Sequence, residues 1–81
     1  MVDTVHRRIE LVGTSAESIE DAIENAISRA SQTMRHLEWF EVLETRGAIK
    51  NDRVREYQVV IKVGFVLEEI IDEDDEDLDR A

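Results

Sequence analysis

The hydrophobic and polar positions change period along the chain, and each period names an element. Residues 4–12 alternate. Val5, Ile9 and Leu11 share one parity, as side chains on one face of a strand do. Arg7 interrupts that face near its start, which marks an opening that is frayed or turned towards a partner. Gly13 is expected to end the strand. Residues 15–37 keep a longer period: Ile19, Ala22, Ile23, Ala26, Ile27, Ala30, Met34 and Leu37 recur at steps of three and four. That spacing lines one stripe of an amphipathic helix. Thr14 or Ser15 is placed to cap it, and Thr14 with Glu17 has capping-box spacing. Glu17, Glu20 and Asp21 suit the positive end of the helix dipole, and Arg35 and His36 the negative end.

Alternation then returns twice. Over 39–49, Phe40 and Val42 take one parity and Trp39, Glu41 and Leu43 the other. Over 54–67, Tyr57, Val59, Ile61, Val63, Phe65 and Leu67 form an unbroken apolar face, with Glu56, Gln58, Val60, Lys62, Gly64 and Val66 opposite. Asn51-Asp52 between the two runs is a turn signal, flanked by Lys50 and Arg53. The pattern therefore predicts an α+β fold of order β-α-β-β. It is a three-stranded antiparallel sheet wrapped against one amphipathic helix, which packs on the face carrying Tyr57 to Leu67.

Size changes this picture. A compact domain of 71 residues has a radius of gyration of about 11 Å, whereas a strand of 14 residues is about 46 Å long. The third strand thus overhangs its own core. One helix cannot shield both faces, so Val60 and Val66, with Leu43 on strand two, lack cover within one chain. Cover by other subunits follows as the leading expectation, and a strongly bent hairpin in a monomer as the alternative.

Charge sharpens the boundary of the fold. The 81 residues hold 20 acids and 10 bases, a net charge of −10. Residues 72–81 carry seven of the acids and one base, and residues 1–71 the remaining 13 acids and 9 bases. A like-charged run with almost no apolar content cannot offset its ordering entropy. The expected organisation is a folded domain over 1–71 and a disordered acidic tail over 72–81. A net charge this negative argues against nucleic acid, whose binding rests on clustered Lys and Arg. The absence of cysteine rules out disulfides and thiolate chemistry. No apolar run reaches membrane-spanning length and no secretory leader is visible, so a cytoplasmic, soluble protein is expected. Two lysines beside eight arginines in so acidic a chain would suit adaptation to high salt, where screening relieves repulsion.

Candidate chemistry is sparse. Ser15, Ser18, Ser28 and Ser31 fall in the helix or its cap, where hydroxyls cap or face solvent. His6 on a strand and His36 at a helix end have no metal-type spacing. The glycines at 13, 47 and 64 form no phosphate-binding loop. Trp39 is the exception. Phe40 and Val42 claim the core parity, so Trp39 points away from the helix. Its indole serves either as a stacking plane for a planar ligand or as a packing anchor between subunits. With the turn near Asn51, Gln58 falls opposite Glu44 to Arg46, and Trp39, Gln58 and Arg46 share one face. Gln58 has the donors and acceptor to read the polar edge of a heterocycle, and Arg46 can meet an anionic or polar tail.

The ordered set Ile-Glu-Leu-Val-Gly-Thr-Ser (9–15), Arg-His-Leu (35–37), Trp-Phe-Glu-Val (39–42), Arg-Gly (46–47), Glu-Tyr-Gln-Val (56–59) and Val-Gly-Phe (63–65) resembles dodecin, over about residues 3–68. The resemblance implies a β-α-β-β subunit, a hollow dodecamer, and flavins bound between subunits, two rings stacked between two symmetry-related tryptophans. Trp39 matches that tryptophan and Gln58 the glutamine that bonds the ring. Arg46 matches an arginine near the ligand in bacterial members, and Glu44 an acidic position near the ribityl chain in some. The implied role is non-enzymatic storage, sequestration and photoprotection of flavin. Either FMN or riboflavin fits: Arg46 tilts towards the phosphorylated form, although a ribityl hydroxyl can also accept its bonds. The competing reading is an oligomerisation module without flavin, with Trp39 as its anchor. A flavoenzyme lacks a nicotinamide site and an acid–base pair here. The acidic tail has no counterpart in the common core.

Overall fold

The computed structural model describes residues 3–67, so the acidic segment 72–81 lies outside the described residues. The order is β1 (His6–Ser15), α1 (Ile19–Ala30), β2 (Leu37–Lys50) and β3 (Arg53–Val66). The sheet runs β1-β3-β2 with both pairings antiparallel. β3 holds the centre because its helix-facing row is the longest apolar run in the chain. Val59, Ile61 and Val63 in that row are fully buried.

β1 does not end at Gly13 but continues through it, with Gly13 opposite Val59. The helix explains the glycine. A side chain at residue 13 would stand 2.1 Å from the Ala22 carbonyl oxygen and 2.9 Å from the Ala26 methyl. Ala22, Ala26 and Ala30 are the buried positions of α1, so small residues on both surfaces let helix and strand approach closely. Gly13 thus ends side-chain bulk rather than the strand.

α1 is shorter at both ends than the period over 15–37 predicts. Thr14 lies in β1 opposite Gln58, so the Thr14–Glu17 box does not form. Ser18 is the cap instead, its hydroxyl accepting from the Asp21 amide at 3.0 Å. Ser15 closes the preceding turn: its hydroxyl donates to Asp21 Oδ2 and accepts from the Glu17 amide, both at 2.8 Å. At the far end the Ser31 amide donates to the Ile27 and Arg29 carbonyls. Arg29, not Arg35 or His36, is the basic residue of the last turn. His36 has a φ of 63°, a left-handed backbone that reverses the chain into β2. Met34 and Leu37 continue the helical period by spacing alone. Leu37 belongs to β2, opposite Phe65.

The β2–β3 turn is Asn51-Asp52, both with positive φ (53° and 62°), between the paired Lys50 and Arg53. This is the two-residue turn whose twist matches a hairpin. β2 carries register shifts between Leu37 and Trp39, Val42 and Glu44, and Ala48 and Ile49.

The helix rests on β1 and β3. Phe40 and Val42 do face its side of the sheet, but the helix passes beside them and leaves them 47% and 46% exposed. On the other face, Val60 is buried at 8%, contrary to expectation. It sits in the central strand between Val12 and Glu44, whose side chains flank it. Leu43 stays 49% exposed, as expected for a second face without cover. The molecule is long: it measures 60 × 21 × 16 Å with a radius of gyration of 17.7 Å, against about 11 Å for a compact domain.

Candidate ligand-binding site

The outer face of the sheet, away from α1, carries the candidate residues because of one inserted residue. Strict alternation would put Trp39 and Arg46 on opposite faces, since one number is odd and the other even. The register moves from Val42 opposite Ile61 to Glu44 opposite Val60, leaving Leu43 as the extra residue of a bulge. A bulge shifts the phase of a strand. Trp39 (opposite Gly64), Glu41 (opposite Lys62), Glu44 and Arg46 (opposite Gln58) therefore share the outer face.

Trp39 is seated by neighbours on both other strands. A Cβ built on Gly64 would lie 2.4, 2.4 and 2.6 Å from three adjacent atoms of the indole. Near-equal distances mean that one face of the ring lies flat over the Gly64 backbone. His6, on β1, meets the indole edge-on, with ring centroids 4.9 Å apart and planes at 61°. His6 Nε2 in turn pairs with Glu38 Oε1 at 2.9 Å. Trp39 as a whole is 38% exposed. One aromatic face is occupied by the sheet, and the exposed remainder of the indole offers surface for a second flat ring.

The polar residues form a separate cluster. Arg46 Nε donates to Gln58 Oε1 at 2.7 Å, and Gln58 Nε2 donates to Glu56 Oε2 at 2.7 Å. Glu44 Oε2 stands 3.8 Å from Arg46 Nη1. These contacts orient the Gln58 amide and leave it one donor and one acceptor site. At the exposure of Arg46 and Glu44 their pairing adds little stability, on the order of 0–1 kcal/mol.

Within one chain the two parts stay apart. Gln58 and Gly64 are six positions apart on β3, about 20 Å at strand rise. The Val60 row and the Lys62–Glu41 row lie between them, and Glu41 reaches Arg8 of the Gly64 row in an ion pair (3.0 Å). The fold brings Gln58, Arg46 and Glu44 together and does not bring Trp39 to them. A single ring system cannot touch both ends in the same subunit. Glu56, Glu38, His6 and Gly64 were not among the sequence candidates. A glycine inside a strand pattern is itself a sign of close approach, and Gly64 carried that sign. His6 reaches Trp39 only through the pairing of both their strands with β3.

Among the described residues no cluster of three or more His, Cys, Asp or Glu could hold a metal ion. No described helix is long and apolar enough to cross a membrane. The chain matches the dodecin family over residues 5–68. It belongs to that family. Dodecin from Thermus thermophilus is 58% identical over 65 residues, which cover 80% of this chain and 94% of that one. A crystal structure of a Thermus thermophilus protein superposes with a TM-score of 0.80 at 57% identity, covering 83% of this chain and 98% of that one. A calcium dodecin from Mycobacterium tuberculosis, described as having a novel calcium-binding site, superposes at 0.70 with 26% identity, covering 79% and 91%. The sheet order and single helix found here are the dodecin fold, and dodecins are small flavin-binding proteins not known as enzymes.

Proposed function

We propose that this chain is a non-enzymatic flavin-binding protein. It stores, sequesters and photoprotects FMN or riboflavin in pockets between the subunits of a cytoplasmic homododecamer, with the domain over 1–71 as the working unit. The single observation that carries the reading is the seat of Trp39. One face of the indole is pressed on Gly64 and the residue keeps 38% of its surface exposed, an arrangement suited to stacking. The separation of Trp39 from the Arg46–Gln58 pair supports a site completed by a second subunit. Residues present fit the ligand: Gln58 can bond the polar edge of the ring, while Arg46 and Glu44 flank it and can meet the ribityl chain or its phosphate. A flavin brings an easily excited ring system. Trp39, electron-rich and in van der Waals contact with it, would quench that excitation by electron transfer and so suppress photochemistry.

The colour of the purified protein and its fluorescence test this reading. A yellow preparation whose flavin emission rises on denaturation is expected. Colourless protein with no affinity for added FMN or riboflavin would instead favour an oligomerisation module in which Trp39 anchors subunits. For calcium, the described residues offer no carboxylate cluster.

A further inference from the structure

Two exposed apolar surfaces in this chain carry opposite charge. The first is a groove between α1 and β2, floored by Ile23, Ile27, Leu37 and Phe40. It exists because the helix covers β1 and β3 but not β2. Its helical rim holds the exposed acids Glu20 and Glu24. The second surface is the hairpin tip. Ile49 and Val54 are cross-strand partners there, 76% and 58% exposed, and so form one apolar knob. Residues 50–55 carry Lys50, Arg53 and Arg55 against Asp52, a net +2 in a chain of net −10.

We propose that the hairpin tip of a second copy of this chain fills the α1–β2 groove, Ile49 and Val54 entering it while Lys50 and Arg53 meet Glu20 and Glu24. The inference rests on the homo-oligomeric reading above and names the contact within it. Electrostatics selects the pairing. Tip against tip sets positive on positive, groove against groove sets negative on negative, and only tip against groove pairs unlike charges while covering both apolar surfaces. Such a contact joins two different patches, so it runs head to tail and must close as a ring to give a finite particle. The Asn51-Asp52 turn supplies a short, preset tip, which lowers the entropy lost on docking.

The test measures the size of the full-length protein in solution at low salt. Ile49→Asp, and separately Lys50→Glu with Arg53→Glu, should shift the assembled particle to single chains of 9.4 kDa or small sub-assemblies. All these positions are exposed, so the fold of the monomer should survive, which circular dichroism checks. Adding Glu20→Lys with Glu24→Lys to the reversed tip should restore the particle. The chain has no cysteine, which gives a second readout. Chains bearing Val54→Cys, co-expressed with chains bearing Ile27→Cys and then oxidised, should cross-link to each other and not to themselves. Particles unchanged by both tip variants, no recovery on double reversal, or cross-links confined to like pairs overturn the contact while leaving assembly itself standing. A native chain that is monomeric at micromolar concentration overturns both.

Discussion

Val42 and Ile61 stand opposite each other on the same face of the same sheet, yet Ile61 is fully buried and Val42 is 46% exposed. The difference is the position of one helix. The half of the molecule made by β1, β3 and α1 is closed by its own chain: alanines and Gly13 on one side, Val59, Ile61 and Val63 on the other. The half made by β2 and the hairpin tip keeps its strand order and register but leaves Phe40, Val42, Leu43, Ile49 and Val54 uncovered. Secondary structure alone therefore does not decide what is core. The first half supplies stability and the second supplies surface, and the proposed ligand site and the proposed subunit contact both draw on the second, through Trp39, Glu44 and Arg46 for the one and Phe40 and Ile49 for the other.

Substitutions test this division. The largest effect is expected at Gly13→Val, which forces the helix off the sheet at Ala22. It should cost more than about 3 kcal/mol, seen as a large fall in the urea midpoint; a native midpoint would mean that the helix does not close that half. Next comes the opposed pair. Ile61→Ala should cost about 2–5 kcal/mol at any protein concentration. Val42→Ala should do little to the lone chain and act on the concentration dependence of melting, since in the proposed assembly its missing cover is another copy. Equal effects from both would erase the distinction.

At the proposed site, Trp39→Ala removes the stacking plane. Stacking of a base on an aromatic is worth about 1–3 kcal/mol, so flavin affinity should fall by roughly 5- to 150-fold, read by the return of flavin fluorescence on titration. Gln58→Leu keeps the volume and loses one neutral hydrogen bond, about 1 kcal/mol or roughly a fivefold loss. The smallest effect is Gly64→Ala. Its methyl would lift the indole from the sheet, reducing affinity and quenching together, with particle size unchanged. Preserved quenching in that variant would show that Gly64 does not set the plane of Trp39.

Much of this was legible in residue order. The helix, three strands, the Asn51-Asp52 turn, the outward Trp39 and the placement of Gln58 opposite Arg46 all follow from period and turn chemistry. Helix ends were less legible. Met34 and Leu37 stay on the helical period after the helix has stopped at Ala30, and spacing carries no sign of the left-handed His36 that turns the chain into β2. Gly13 read as a terminator because its partner, the Ala22 carbonyl, is distant in sequence. The shared face of Trp39 and Arg46 was anticipated without its cause, since the bulge at Leu43 leaves no mark in alternation.

Which residues could be buried and where the chain must turn are written in residue order, because side-chain period and positive-φ turns are local properties. Three-dimensional packing sets which half of the apolar surface is closed, that Trp39 lies on Gly64, and that Arg46 and Gln58 stand about 20 Å from it. Those facts depend on where one helix crosses the sheet and on how three strands pair, both of which are set by contacts between residues far apart in the chain.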